Sequence, residues 1–416
     1  MSTEELLAAY QLGQFCLPPD KFLPKVASFL KGLSETLPPL LAPLPMPELT
    51  LKGLSPSQEN AVKLAFQRRL SLIIGGPGTG KTHTAAALLS HFAKTDLSIG
   101  CAAPTGKAAE RLKGALAIES RTLHSLLGIG KDPAEVAPLL PYDLLIVDEA
   151  SMIDPHLFTL LLEKIPPQGR LILIGDPDQL PPVEGGSFFS PLAQLYLEQG
   201  WTERLSASHR TESKTLLHFA HAVRTGNREE VEQLFPFFYS EAKEPPEQIR
   251  ILSPFKSAVD QINQKAFQKA LRRGETAFPI LLNKNAPTLS LWNGELGTIH
   301  LSGATQFTDL RCHPKAVAMI GGKTFSPTLL PSFDLAYALT IHKSQGSEEE
   351  AISLLLPPKA ELSRALLYTA ITRAKKLFTL YGDKDVFFAA LDKAPPLHPL
   401  NMLFPFLPPF SLEKRG

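Results

Sequence analysis

The chain has 416 residues, a formal net charge of +1 and a hydrophobic fraction of 44%. This length allows about three domains, and the balanced charge excludes a protein that coats nucleic acid by bulk charge, so any nucleic-acid site has to be a local groove. Three widely spaced cysteines, Cys16, Cys101 and Cys312, indicate neither a disulfide framework nor a zinc site and favour a reducing compartment.

The first 36 residues show helical spacing of apolar side chains, and a proline-rich stretch, residues 37–45, follows them. The N-terminus is acidic and lacks the basic n-region of a signal peptide, and no apolar run reaches membrane-spanning length. We therefore expect a cytoplasmic protein without membrane contact. Residues 1–48 are too few for a substantial core, so we expect this segment to dock on the body or on a partner.

A serine before a proline at Ser55-Pro56 predicts the start of the next helix. Gln58 lies in its first turn, and its planar amide can pair both edges of an adenine. The alternative is a solvated glutamine without a ligand.

A phosphate-binding loop follows the short apolar run at residues 70–74, which predicts a buried strand, and precedes a strongly helix-forming segment at residues 84–89. Strand, glycine loop and helix N-terminus together cradle phosphate oxygens with backbone N–H groups. In this pattern the lysine supplies a cation for the β and γ oxygens and the final hydroxyl a ligand for Mg²⁺. The loop consists of Gly75, Gly76, Pro77, Gly78, Thr79, Gly80, Lys81 and Thr82.

Two polar turns come next. A second predicted strand, residues 99–103, ends in Pro104, Thr105, Gly106 and Lys107, a small-residue turn with one lysine that suits close approach of a phosphodiester backbone. Thr122 and His124 lie in a further turn before an apolar helix, and we count them among the candidate nucleic-acid contacts.

Two carboxylates end the next apolar run. Residues 144–147 predict a buried parallel strand, and Asp148 and Glu149 follow it, where α/β sheets place their ligands. We expect Asp148 to hold Mg²⁺ and Glu149 to orient and deprotonate the attacking water.

The strand at residues 171–174 also ends in polar residues, and among them Gln179 is long enough to reach a γ-phosphate or the attacking water. These blocks, in this order, resemble the first motor domain of a superfamily-one helicase. Residues 148–154 and 175–183 closely resemble the RecD family, which supplies the 5′→3′ motor of the RecBCD recombination complex and has stand-alone relatives.

The resemblance continues into the second half of the chain. Residues 205–212 are similar to the fourth family motif, with Arg210 at the arginine position, although His209 replaces the usual aromatic residue and Thr211 the usual glutamine. Residues 366–374 resemble the sixth motif. The resemblance implies that Arg210 and Arg373 are arginine fingers for the same ATP.

Residues 335–348 match the fifth motif, in which a strand delivers donors suited to phosphate oxygens of DNA. The resemblance also places Gly346 and Glu348 at the nucleotide. The expected DNA contacts in this loop are Thr340, His342, Lys343 and Ser344.

Between these motifs, residues 288–333 alternate around Asn293-Gly294, which predicts a hairpin. In the RecD family a small β-barrel is inserted here. Residues 128–141 occupy the place of a strand-splitting pin in stand-alone relatives, and our hypothesis is a reduced pin.

The resemblance implies an α/β fold with two RecA-like P-loop NTPase lobes made of parallel sheets flanked by helices. We expect a short helical N-terminal segment at residues 1–48, motor domain one at 49–200 and motor domain two at 201–287 and 334–393. The β-barrel insertion would occupy 288–333 and a proline- and phenylalanine-rich tail 394–416. The cofactors would be ATP and Mg²⁺.

The expected activity is ATP-dependent 5′→3′ DNA unwinding on single-stranded and tailed double-stranded DNA, in a RecBCD-type repair complex with RecB-like and RecC-like subunits. The alternatives are a stand-alone RecD-like helicase and a single-strand DNA-dependent ATPase that translocates without unwinding. A non-catalytic ATP-binding module and an RNA helicase are further alternatives.

Overall fold

The computed structural model describes residues 53–92, 96–129, 139–182, 187–205, 214–246, 248–301, 310 and 316–393. The chain forms two compact units, and the boundary between them lies between His209 and Arg210. The expected N-terminal segment (1–48), the C-terminal tail (394–416), Arg210 and the greater part of the expected pin lie outside the described residues. In the described part of the chain, every helix is too short or too polar to span a bilayer.

The first unit is built on a six-stranded parallel sheet of order β3-β2-β4-β5-β1-β6. Its strands are Leu70–Gly75 (β1), Ile99–Ala103 (β2), Ser120–Thr122 (β3), Leu144–Val147 (β4), Arg170–Gly175 (β5) and Arg204–Leu205 (β6). Its helices are Pro56–Gln67 (α1), Lys81–Phe92 (α2), Gly106–Leu116 (α3), Leu123–Leu127 (α4), Pro155–Lys164 (α5) and Phe189–Glu198 (α6).

Helices cover both faces of this sheet, which explains why its central strands are apolar without alternation. Leu144 and Ile146 face one core with Phe66 and Phe92, whose rings stack with centroids 4.3 Å apart. Leu145 and Val147 face the second core with residues of α4, α5 and α6. Because all six strands are parallel, the segments that follow them emerge at one edge of the sheet.

The second unit contains a five-stranded parallel sheet of order β14-β8-β15-β16-β7. Its strands are Tyr239–Ser240 (β7), Arg250–Ser253 (β8), Ala338–Thr340 (β14), Glu349–Leu356 (β15) and Ala374–Gly382 (β16). Its helices are Lys214–Thr225 (α7), Arg228–Leu234 (α8), Lys256–Arg272 (α9), Arg364–Ile371 (α10) and Lys384–Asp392 (α11).

A five-stranded antiparallel sheet of order β12-β11-β10-β9-β13 is inserted between α9 and β14. Its strands are Ala277–Leu282 (β9), Leu296–Leu301 (β10), Ala316–Ile320 (β11), Lys323–Phe325 (β12) and Phe333–Leu335 (β13). The side chain of Asn263 on α9 joins this sheet to the parallel one. Its amide donates to the carbonyls of Leu335 and Ala338, and its oxygen accepts from the Ala338 N–H at 2.7 Å.

The hairpin prediction was right about the turn and wrong about the first strand. Gly294 has a φ of +85° and precedes β10, but the strand paired with β10 is Ala277–Leu282. Residues 287–289 form a 3₁₀ turn, and one isolated bridge joins Ala286 and Leu291. The loop between the two strands, residues 283–295, is therefore longer than a two-residue hairpin turn.

Candidate nucleotide-hydrolysis site

The phosphate-binding loop leaves β1 at Gly75 and enters α2 at Lys81. Gly78 and Gly80 have φ values of +76° and +80°, a region that L side chains rarely adopt. A Cβ on Gly75 would lie 2.5 Å from Oγ1 of Thr79, so the tight return of the loop requires glycine there. The loop conformation thus follows from the glycines that the motif contains.

The Lys81 ammonium lies across this loop. Its Nζ donates to the carbonyls of Gly75 at 2.8 Å and Gly76 at 3.0 Å, and the Thr79 hydroxyl donates to the Gly76 carbonyl at 2.8 Å. An ammonium has three protons, so this arrangement leaves donor capacity for an anion bound in the loop.

Gln58 is buried, so the alternative of a solvated glutamine was wrong. Its Oε1 accepts from the Ser55 N–H at 2.9 Å, and the Ser55 hydroxyl in turn caps the helix at the Gln58 N–H. Its Nε2 donates to the carbonyl of Thr79 at 3.2 Å. Gln58 therefore braces the phosphate-binding loop, and adenine recognition by it stays a prediction.

Asp148 and Glu149 follow directly after β4. Asp148 is buried, and its Oδ1 accepts from the Glu149 N–H at 2.9 Å. Glu149 has a φ of +54°, a left-handed conformation that costs a non-glycine residue about 1–3 kcal/mol and occurs preferentially at functional sites. This turn directs two adjacent carboxylates into the site.

Arg111, which sequence reasoning missed, pairs with both carboxylates. Its Nη2 atom lies 2.7 Å from Oε1 of Glu149 and 3.3 Å from Oδ2 of Asp148. Burial lowers the pKa of Arg111, but the two carboxylates outweigh that effect and raise it overall. The sequence shows only that Arg111 lies on the helix that follows the Pro104–Lys107 turn, and it does not show that this helix lies beside the acidic turn.

The buried carboxylates also interact with each other. Burial raises the pKa of Asp148, and the charge of Glu149 raises it further, whereas Arg111 and Lys81 act in the opposite direction. Lys81 of the phosphate-binding loop therefore acts on the acidic turn through its charge.

The segment after β5 holds Gln179 near the same edge of the sheet. Gln179 is buried, and its Nε2 donates to Oδ2 of Asp176 at 3.3 Å. Asp178, in the same segment, pairs with Arg204 at 2.5 Å. Arg204 lies on β6, where Leu205 pairs with Gly75, so contacts connect this segment to the strand beside the phosphate-binding loop.

The turn after β2 is a helix start. The Thr105 hydroxyl accepts from the Ala108 N–H at 3.2 Å, and α3 begins at Gly106. Pro104 and Lys107 are partly exposed there. The turn after β3 is built in the same way. The Thr122 hydroxyl accepts from the Ser125 N–H at 3.2 Å, and His124 is exposed.

In the second unit, β14 delivers the fifth-motif loop. Lys343 is exposed, and its Nζ contacts Oδ1 of Asn283 at 2.9 Å and Oδ2 of Asp334 at 3.1 Å. The Thr340 hydroxyl accepts from the Lys343 N–H. Ser344 is buried and donates to the Ile341 carbonyl. Thr340 and Lys343 therefore fit a DNA contact better than Ser344 does.

His342 lies in the same loop, and burial lowers its pKa, which favours the neutral imidazole near pH 7.

Arg373 lies just after α10 and is buried. Its Nε donates to the Thr369 carbonyl at 3.1 Å, and its Nη1 to the Ser347 carbonyl at 3.2 Å. This second contact ties Arg373 to the segment that contains Gly346, which has a φ of +71°, and Glu348, which is partly buried.

The donor set of the first unit fits a nucleoside triphosphate with Mg²⁺. A hydroxyl on the second residue of α2, Thr82, and the carboxylate of Asp148 are the oxygen ligands that Mg²⁺ takes in P-loop sites. The Mg²⁺ would neutralise phosphate charge when it is bound.

Comparisons with known proteins agree with this arrangement. Residues 53–235 match the AAA domain family, and residues 335–381 match the UvrD-like helicase C-terminal domain family. Among solved structures, a Bacteroides Pif1 bound to single-stranded DNA and the Pif1 helicase from Candida albicans have TM-scores of 0.53 and 0.52 at 18% identity. Each alignment covers 80% of this chain and 95% of the other, which shows a common fold.

Two curated relatives are closer in sequence. The RecBCD enzyme subunit RecD of Mycolicibacterium smegmatis is 31% identical over 413 residues, covering 81% of this chain and 72% of the relative. The ATP-dependent RecD2 DNA helicase of Deinococcus radiodurans is 32% identical over 407 residues, covering 87% of this chain and 55% of the relative. With the phosphate-binding loop and acidic turn in place, the chain belongs to the RecD family of ATP-dependent DNA helicases.

Proposed function

We propose that the chain uses ATP and Mg²⁺ to move 5′→3′ along single-stranded DNA and to unwind tailed duplexes. The observation that supports this most is the common sheet edge of the first unit. There the phosphate-binding loop, the Asp148-Glu149 turn and the Pro104–Lys107 turn follow β1, β4 and β2 of one parallel sheet. A motor couples ATP hydrolysis to movement along DNA, and for this it needs a nucleotide site and a DNA-binding turn on the same sheet.

Each residue has a role in this proposal. Lys81 would neutralise the β and γ phosphates, and Thr82 and Asp148 would hold Mg²⁺. Glu149 would accept a proton from the attacking water, while Gln179 would contact the γ-phosphate or that water. Gln58 would contact the base and Gly346 and Glu348 the nucleotide.

Arg210 and Arg373 would stabilise charge on the transferring phosphoryl group. Arginine fingers in GTPases raise the hydrolysis rate by roughly 10³–10⁵. Because Arg373 is buried against Thr369 and Ser347, its role would require these contacts to be exchanged for the nucleotide.

DNA would lie on two sets of donors. In the first unit these are the Pro104–Lys107 turn, Thr122 and His124, and in the second the loop with Thr340, His342, Lys343 and Ser344. Hydroxyl, imidazole and ammonium groups of this kind contact phosphate oxygens and carry no sequence information. The proposed motor is therefore indifferent to DNA sequence.

We further propose that the chain is the motor subunit of a RecBCD-type repair complex with RecB-like and RecC-like subunits, in the cytoplasm. The support is the similarity to the RecBCD enzyme subunit RecD of Mycolicibacterium smegmatis, which is 31% identical over 413 residues. The stand-alone helicase is the second candidate.

One experiment tests the activity. ATP hydrolysis and strand displacement would be measured for the isolated chain and for the Glu149→Gln variant, with Glu163→Gln, an exposed carboxylate on α5, as the control. We expect Glu149→Gln alone to abolish DNA-stimulated hydrolysis. Full hydrolysis by this variant would contradict the role of Glu149.

Strand displacement then separates the two candidates. A stand-alone helicase unwinds a 5′-tailed duplex without other proteins, whereas a motor subunit hydrolyses ATP on DNA and leaves the duplex intact until its partners are added.

A further inference from the structure

We propose that Arg111 is a positioning residue that couples DNA binding to ATP hydrolysis. Without DNA it holds Glu149 and Asp148 in an ion pair, and DNA bound at the Pro104–Lys107 turn withdraws it. This inference rests on the proposed function, because it requires that turn to bind DNA.

The ion pair involves both residues that hydrolysis needs. The Nη2 atom of Arg111 lies 2.7 Å from Oε1 of Glu149 and 3.3 Å from Oδ2 of Asp148. Both carboxylates are largely buried, whereas 42% of the Arg111 side chain is exposed. A partly exposed cation is the member of such a set that can leave with the smallest desolvation penalty.

The pairing opposes hydrolysis in two ways. The lone pair of Oε1 that accepts a hydrogen bond from the guanidinium is not available to the attacking water. A guanidinium at Oδ2 of Asp148 also repels a divalent cation that approaches the same carboxylate. Arg111 in this position therefore competes with Mg²⁺ and restrains the general base.

One short helix joins Arg111 to the DNA-binding turn. Thr105 caps α3 through the Ala108 N–H, and Arg111 lies on the second turn of that helix. Ala108, Ala109 and Leu112 are buried, so α3 is packed on the sheet and links the turn at its start to Arg111. A phosphate drawn to the turn displaces the helix start, and a shift of about 1 Å is enough to break a 2.7 Å contact.

The test compares ATP hydrolysis with and without an oligothymidylate strand. The variants are Arg111→Gln, which removes the charge, and Arg111→Lys, which keeps it. Lys113→Gln is the matched control, because Lys113 is on the same helix and pairs with Glu119 at an exposed site. We expect Arg111→Gln to raise hydrolysis without DNA about 5-fold, at the lower end of allosteric coupling, and to reduce stimulation by DNA by the same factor.

A second measurement does not depend on turnover. Binding of a fluorescent ADP analogue would be followed during titration with Mg²⁺. We expect Arg111→Gln to reach half-maximal binding at a lower Mg²⁺ concentration than the wild-type chain, and Arg111→Lys and Lys113→Gln to remain close to wild type.

The outcomes are distinct. An unstimulated wild-type chain would contradict the proposed DNA-dependent activity itself. A stimulated wild type with an unchanged stimulation ratio in Arg111→Gln, or with an unchanged Mg²⁺ midpoint, would overturn the role of Arg111 alone. Loss of both rates in an Arg111→Gln variant that a thermal scan shows to be folded would also overturn it, because release of the two carboxylates is expected to raise the rate without DNA. If Arg111→Gln does not fold, loss of both rates in Arg111→Lys overturns it.

Discussion

The side-chain Nε2 of Gln58 lies 3.2 Å from the backbone oxygen of Thr79 and connects α1 to the phosphate-binding loop. The amide has both a donor and an acceptor role, since its Oε1 accepts from the Ser55 N–H at 2.9 Å. The loop that holds phosphate is therefore braced by the residue expected to contact the base.

The first prediction concerns this brace. Gln58→Glu keeps the size of the side chain but replaces the donor at Thr79 with an oxygen, which repels the carbonyl. We expect the dissociation constant for ATP to rise about tenfold, corresponding to about 1.4 kcal/mol. Fluorescent-nucleotide titration measures it, and Gln199→Glu at the exposed end of α6 is the control. Unchanged affinity for ATP would show that the brace does not matter for the nucleotide.

The second prediction concerns Lys343 and salt. Lys343→Ala should weaken single-stranded DNA binding equally for all sequences, because its ammonium is expected to contact a phosphate. The slope of log affinity against log salt is negative, and its magnitude should decrease by about 0.7, the value for one phosphate contact on a single strand. Lys375→Ala, at an exposed ion pair with Glu350, should leave the slope unchanged. A slope identical to that of the wild type in Lys343→Ala would exclude a phosphate contact.

The third prediction concerns the junction between the two sheets of the second unit. Asn263→Ala removes three hydrogen bonds to Leu335 and Ala338 and leaves the backbone groups buried. We expect the free energy of unfolding of this unit to fall by about 1–3 kcal/mol. Urea denaturation measures it, with Gln264→Ala, exposed on the same helix, as the control. Equal midpoints for the two variants would contradict the structural role of Asn263.

The fourth prediction concerns pH. Burial raises the pKa of the Cys101 thiol from 9.0 to about 11. The folded protein therefore holds this proton more tightly than the unfolded chain, so the stability contribution is complete below pH 9 and is lost as pH rises to about 11. In a Cys16→Ser, Cys312→Ser background, iodoacetamide at pH 8 should modify Cys101 only after unfolding. Rapid modification of Cys101 in the folded protein would contradict the burial of this thiol.

The sequence predicted the elements of the first unit well, because each site motif follows an apolar strand and precedes a helix or turn with strong local signals. The phosphate-binding loop and the Asp148-Glu149 turn were located in this way. Arg111 was missed because its partners are 37 and 38 residues away, and only the parallel order of β2 beside β4 brings them together.

Gln58 and Arg373 illustrate a second limit. Gln58 lies in the first turn of α1, as predicted, and Arg373 lies just after α10, but their hydrogen bonds to Thr79, Thr369 and Ser347 depend on tertiary packing. The strand that pairs with β10 was missed for a similar reason, because Ala277–Leu282 lies before the segment that alternates around Asn293-Gly294 and is joined to β10 only by the pairing in the folded sheet.

The most direct test of the account is the direction of movement on single-stranded DNA, measured without partner subunits or a duplex. Oligonucleotides with biotin at either the 3′ or the 5′ end would be loaded with streptavidin, and its displacement would be followed with ATP. An ATP-driven 5′→3′ motor should displace streptavidin faster from the 3′ end, and Lys81→Ala should displace none. Preferential displacement from the 5′ end, or displacement by Lys81→Ala, would contradict an ATP-driven 5′→3′ motor.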